Sequence, residues 1–312
     1  MNKLFKSSEK IGEIVTRFPK AMEVFKEYNI DFCCGGDRTL SSAIDIQYLN
    51  EGEVLSKLEE AYKKTQGIVL KDIDWRNASY SDLIDYVVKT HHAYMHKELP
   101  QLSELITTIL RVHGANHEEL EKVYKLFHTL RTELDEHLIK EEVTLFPLIK
   151  EYEKAPTDAL LDKALKIIKD LESEHTGAGD ILKELRKITL DYTIPQDVCN
   201  TFKFTYTKLG EMENDLFQHI HLENNILFPR LGREKALSFN AKLDITDYAP
   251  EDRHAIIFST FDNLKFGERM QITSDEDTSQ LYNEFLIERP EQFEWEYLSE
   301  VPGAWRVAII KL

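Results

Sequence analysis

The chain has 312 residues, enough for two or three domains, and its 42% hydrophobic content supports packed cores and not a disordered coil. Acidic residues outnumber basic ones 56 to 39, a net charge of −17, and no stretch is basic enough to neutralise a phosphate backbone or favour an anionic membrane surface. With no apolar run near about 20 residues, no secretory h-region in MNKLFKSSEKIGEIV and only 3 cysteines, the expected location is cytoplasmic, with neither nucleic acid nor membrane as a partner.

Residues 1–66 read as a small helical domain. Ile11, Ile14, Val15, Phe18 and then Ala21, Val24, Phe25, Tyr28 keep helical spacing across Pro19, and a polar helix is expected over 40–64. Between them lies a Gly-rich corner, Asp31-Phe32-Cys33-Cys34-Gly35-Gly36. Residues 67–79 break the helical pattern and read as a linker ending at Ser79, a helix N-cap. Residues 80–231 hold four long amphipathic segments, 80–112, 117–153, 157–187 and 197–229, which predict an up-down four-helix bundle. Pro100 is expected to kink or loosen the first helix. Over 240–312 the order becomes β-α-β-α-β-β, a small α+β domain, so the fold class is mainly α with one small sheet.

The bundle contains an internal repeat. Residues 137–147 read HLIKEEVTLFP and residues 219–229 read HIHLENNILFP, both H-x-x-x-E followed by L-F-P. Positions i and i+4 lie on one helix face about 6 Å apart along the axis. His137 with Glu141, and His219 with Glu223, are therefore two-toothed nitrogen-and-oxygen ligand sets. Both pairs interrupt apolar seams: Phe127, Leu130, Leu134 before the first, and Leu209, Met212, Leu216 before the second. Glu142 falls off the seam and is expected to matter much less than Glu141. His175 continues the seam of the third segment, and His91 or His92 that of the first, where periodicity does not choose between them.

A single buried histidine is usually a hydrogen-bonded core residue, and one H-x-x-x-E is usually a surface pair. Two copies in matching seams, with inward histidines on the other two helices, are a different matter. Burying several imidazoles and two carboxylates without a cation would cost several kcal/mol per carboxylate or more. Two carboxylates able to bridge, with two imidazoles per ion, suit a dinuclear iron or manganese centre. The ferritin-like alternative needs two Glu-x-x-His pairs, and only Glu172-x-x-His175 is present.

These residues carry a resemblance. Region 80–231 resembles a hemerythrin-like domain, and 1–231 as a whole is similar to the iron–sulfur cluster repair di-iron family (RIC, also called ScdA or YtfE). The matching pieces, in order, are NIDFCCGG at 29–36, HHAYMHKELP at 91–100, HLIKEEVTLFP, ESEHTGAGDIL at 172–182 and HIHLENNILFP. The resemblance implies the ligand set His92, His137, Glu141, His175, His219 and Glu223, holding two non-haem iron ions bridged by carboxylates. Oxygen-carrying hemerythrins are similar but use more histidines and a terminal Asp. Glu223 stands here where a histidine would, which argues against reversible oxygen carriage. Residues 240–312 resemble a small domain of unassigned function (DUF2249) through LDITDYAPEDRHAIIFSTFDNL and ERPEQFEWEYL.

The resemblance implies a di-iron protein that repairs iron–sulfur clusters damaged by nitrosative or oxidative stress, donating iron, electrons or both to iron–sulfur client proteins. Nitric oxide or oxygen are the implied small ligands, and a homodimer is compatible with the sequence. Two other readings use the same site: a non-catalytic sensor or store of oxygen, nitric oxide or iron, and a nitric oxide-reducing enzyme. Cys33 and Cys34, beside two glycines and before a helix, read as a redox or iron-transfer pair with a lowered thiol pKa. The plainer reading is a tight corner packed with small side chains. Cys199 is expected in the core. Arg253 and His254 are expected as surface caps, and Phe285, Phe293, Trp295, Tyr297 and Trp305 as the core of the last domain.

Overall fold

The computed structural model describes residues 4–65, 74–237, 239–301 and 304–312. Four short helices come first: Ile11–Arg17, Ala21–Glu27, Leu40–Ile46 and Glu51–Thr65. Of the linker expected over 67–79, residues 67–73 lie outside the described residues. Ser79 does cap the next helix, accepting from the Asp82 amide at 3.0 Å.

Four long bundle helices follow, as the periodicity predicts. The first runs through Tyr80–Val87, a π turn at Val88–His92, and Ala93–His113. The second runs through Glu119–Lys140, a π turn at Glu141–Leu145, and Phe146–Lys154. The third, Asp158–Ile188, is unbroken, and the fourth joins Asn200–Leu222 to Phe228–Leu237 through a π turn at Glu223–Leu227. Two of these π turns run directly into the L-F-P repeats, whose Pro147 and Pro229 have no amide to give the carbonyl four residues back. Pro100, by contrast, sits inside Ala93–His113 without interrupting it. Pro100 and His96, whose carbonyl it leaves without a helical partner, are both exposed, so water can serve that carbonyl.

Met1–Arg233 forms one compact unit. Its interior is two apolar clusters separated by a polar layer. One joins the short helices (Phe5, Ile14, Phe25, Leu40) to bundle residues such as Leu99, Phe127, Leu182 and Leu216. The other holds Leu83, Leu145, Ile149, Leu171 and Leu231. Residues 92, 137, 141, 175, 219 and 223 fall between the two.

Glu234–Leu312 forms the second unit. Its sheet has the order β1-β2-β4-β3, with β1 Ala241–Asp244, β2 Arg269–Ser274, β3 Phe293–Val301 and β4 Ala304–Lys311. β1 pairs parallel with β2 across the helix Pro250–Asp262, and β4 is antiparallel to both β2 and β3. Phe258, Phe261, Phe285, Met270, Ile272, Val307 and Ile309 make its core. Phe293 and Trp295 pack against that core only in part, and Tyr297 is 39% exposed on the edge strand. The expected aromatic core thus thins out along β3, where only one neighbouring strand gives cover. His254 pairs with Glu288 at 2.8 Å and Arg253 donates to the Tyr248 carbonyl, both at the surface.

Candidate metal centre

The π turns stand at the ligand positions. His92 ends the first, and Glu141 and Glu223 begin the other two. All six expected residues are buried: His92, Glu141, His219 and Glu223 are 0% exposed, His175 2% and His137 4%. They form two groups whose ligand atoms lie within 4.8 Å of one another: His92, Glu141, His219, Glu223 and His137, Glu141, His175, Glu223. Each group has two imidazoles of its own, and both carboxylates belong to both. His91, which periodicity left level with His92, is buried but turned to Asp215, with Nδ1 3.0 Å from Oδ1. Glu172 is exposed and takes no part.

Hydrogen bonding decides which atoms face inward. Nδ1 of His92 donates to Glu142 at 2.8 Å, Nδ1 of His137 to Glu174 at 2.8 Å, and Nδ1 of His175 to Asn224 Oδ1 at 2.8 Å. A proton held on Nδ1 leaves Nε2 as a bare lone pair. Those lone pairs point at one another and at the carboxylates: His92 and His219 Nε2 are 3.2 Å apart, and His137 and His175 Nε2 are 3.0 Å apart. The i,i+4 pairs close to 3.3 Å for His137–Glu141 and 3.1 Å for His219–Glu223. All four Glu141 and Glu223 oxygens are buried without a hydrogen-bond partner. Acceptors facing acceptors in an apolar interior require a cation between them, and the nitrogen-and-oxygen donor set suits iron or manganese.

Protons are the only substitute. Burial disfavours charge on His219, but Glu223 and Glu141 outweigh it and push the imidazole up to about 10. Burial likewise opposes ionisation of Glu141, yet His137, with His219 and His92, holds its carboxyl well below the usual range. A metal entering this layer must displace such protons, so binding releases them.

Sequence reasoning missed the outer partners Glu142, Glu174 and Asn224. Glu142 is off the seam, but it reaches back to His92. The available signal was adjacency, since each follows or precedes a ligand in sequence. Glu142→Ala or Glu174→Ala is expected to lower metal affinity 10–100-fold by freeing the imidazole it orients, as read by competition with a chelator. A loss as complete as that of Glu141→Ala would make the outer carboxylate a ligand itself.

Asn224 and Asn225 also tie the Cys33-Cys34 corner to this layer. Asn224, holding His175 through Oδ1, donates through Nδ2 to the Cys33 carbonyl at 3.4 Å. Asn225 donates to the Phe32 and Cys33 carbonyls at 3.1 and 3.2 Å and reaches His221 Nδ1 at 3.1 Å. Burial pushes the His221 pKa down to about 4, so its ring stays neutral and can accept. A Cβ on Gly36 would lie 2.1 Å from Asn225 Oδ1 and 2.8 Å from the Phe32 carbonyl oxygen, backbone that cannot swing aside, which explains the glycine. Cys34 Sγ lies 3.4 Å from the His175 carbonyl and 3.7 Å from Cys33 Sγ.

The expected low thiol pKa at this corner is corrected for Cys33. The Asp31 carboxylate already takes the Cys34 and Gly35 amides, at 3.0 and 3.1 Å, that would have favoured a thiolate. Cys34, burial and Asp31 push the Cys33 thiol well above its ordinary value. Cys199 is corrected too: it is exposed at the N-cap of Asn200–Leu222, not in the core. The Phe202 amide and His113 draw its thiol down to about 7.

Residues 7–62 match a domain of unknown function (DUF542, the ScdA N-terminal domain), 83–231 the hemerythrin HHE cation binding domain, and 242–311 an uncharacterized conserved protein family (DUF2249). A probable iron-sulfur cluster repair protein of Haemophilus influenzae is 35% identical over 237 residues, covering 73% of this chain and 99% of the relative. The iron-sulfur cluster repair protein YtfE of Escherichia coli O157:H7 and that of Shigella boydii serotype 4 are each 34% identical over 225 residues, 70% of this chain and 94% of theirs. At that identity and coverage, with a hemerythrin domain around the His and Glu layer, the chain belongs to the iron-sulfur cluster repair protein family.

Proposed function

We propose that this protein holds two iron ions in the polar layer of its bundle and uses them to restore damaged iron–sulfur clusters in client proteins. The observation that carries the reading is the sharing of Glu141 and Glu223 between two separate pairs of histidines. Two carboxylates common to both groups suit a bridged pair of ions better than a single ion. When bound, the iron pair would supply electrons or a labile ion. The chain's own residues do the rest. His92, His137 and His175 present oriented Nε2 lone pairs because Glu142, Glu174 and Asn224 hold their outer protons. The apolar clusters on either side keep the layer dry and strengthen each charge interaction within it.

The Cys33-Cys34 pair is the proposed exchange point with the client. It meets the layer at the His175 carbonyl and at Asn224, and with Asp31 it forms a third group of potential ligand atoms within 4.8 Å. The test is restoration of an iron–sulfur enzyme inactivated by nitric oxide, with catalytic amounts of the protein in a reducing buffer. The parent is expected to restore it over many turnovers. Cys33→Ala with Cys34→Ala is expected to keep the metal and lose at least tenfold in rate. Metal-loaded parent protein that restores nothing would favour the sensor or store reading, and a double variant at the parental rate would leave the corner with packing alone.

A further inference from the structure

A cavity of about 650 Å³ opens between the Cys33 corner and the third bundle helix, within the usual range for small-molecule sites. Its charge is opposite to that of the chain. Lys26, Arg38, Lys183, Arg186 and Lys187 line it against two acids, Asp31 and Asp191, in a protein of net charge −17. Three of the cations are already engaged. Lys26 lies 3.3 Å from Glu213, Lys183 lies 3.2 Å from Asp31, and Arg186 lies 2.7 Å from Asp191. Arg38 donates only to the Gly35 carbonyl at 3.4 Å and has no carboxylate partner among the described residues. Lys187 is 3.7 Å from Glu184 with its side chain 79% exposed. Arg38 thus remains for a ligand, and Lys187 is held only by a long, exposed pair that a ligand can displace. The other walls mix apolar Ile30, Phe32, Leu190 and Phe217 with polar Asn29 and Gln47, and Cys33 is among the lining residues.

We propose that this cavity binds a low-molecular-mass thiol bearing carboxylates, its acid groups at Arg38 and Lys187 and its sulfur against Cys33. The inference rests on reading Cys33-Cys34 as a working thiol pair. Such a pair needs a partner thiol, and the remaining cysteine, Cys199, is exposed beside His113 on the bundle. The exchange balances as the ligand disulfide plus two protein thiols giving a protein disulfide and two ligand thiols, reversibly. One S–S bond breaks, one forms, and both protons pass to the ligand sulfurs. The raised pKa of Cys33 makes it a slow attacking group and a poor leaving group, so it slows the exchange in both directions without altering its balance.

The test is calorimetric titration of the full chain carrying Cys199→Ser, which removes the competing exposed thiol. The probes are glutathione and the same tripeptide with alanine in place of its cysteine. Glutathione is expected to bind saturably, and Arg38→Glu and Lys187→Glu are each expected to weaken it about tenfold, about 1.4 kcal/mol, with unchanged circular dichroism. The alanine tripeptide is expected to bind several-fold more weakly. Absence of saturable binding at millimolar glutathione, or affinity unchanged in the exposed Lys187→Glu variant, overturns the site. Equal binding of the two tripeptides overturns the thiol class. Glutathione binding as expected, alongside failure to restore a client, would count against the repair reading and leave this site standing.

Discussion

Glu141→Ala, and equally Glu223→Ala, is expected to cost the polar layer both ions of the proposed pair at once. Each carboxylate belongs to both ligand groups, whereas each histidine belongs to one. Losing a shared acid removes a negative charge and a donor atom from both positions. It also leaves the four histidine Nε2 atoms, paired at 3.2 and 3.0 Å, with half the carboxylate charge to hold a cation. His175→Ala should behave differently, weakening one position first and leaving a protein with close to one ion. Elemental analysis after dialysis against a weak chelator separates the patterns. Residual content near one ion per chain in Glu141→Ala would mean that the carboxylates are not shared.

The second large effect concerns stability and has the opposite sign from intuition. Glu141→Leu with Glu223→Leu is expected to abolish metal binding yet to give a fold more stable than the metal-depleted parent, by about 1–4 kcal/mol. Without a cation, both acids are fully buried and lack hydrogen-bond partners. Protons drawn onto His219 and His137 then stand in for the cation. Leucine would join the apolar clusters above and below it. The metal-loaded parent should exceed both, since ion binding adds directly to folding free energy. Urea unfolding of the three species orders them. A double-leucine variant less stable than the metal-depleted parent would show that the acids contribute to the fold without a metal.

Much of this was legible before any coordinates. The four bundle segments, the succession of strands and helices in the last unit and the inward turn of His137, Glu141, His175, His219 and Glu223 follow from periodicity, because burial imposes it. The choice of His92 over His91 does not. Both are buried, and only the tertiary partner of each ring, Glu142 or Asp215, separates them. The π turns were foreshadowed by L-F-P but not readable as such, since proline at that point is also compatible with a kink. Cys199 and Cys33 differ from the sequence expectation for one reason. A thiol's environment is set by residues distant in sequence or by a local carboxylate that takes the same amides, and neither leaves a periodic trace.

The most direct test of a shared-carboxylate iron pair is metal content and the optical spectrum of protein purified without added metal. Close to two ions per chain are expected, mainly iron, with the absorption of an oxo-bridged pair in the oxidised protein and its loss in Glu141→Ala. A single zinc per chain, or iron at one ion per chain in fully loaded protein, would contradict it.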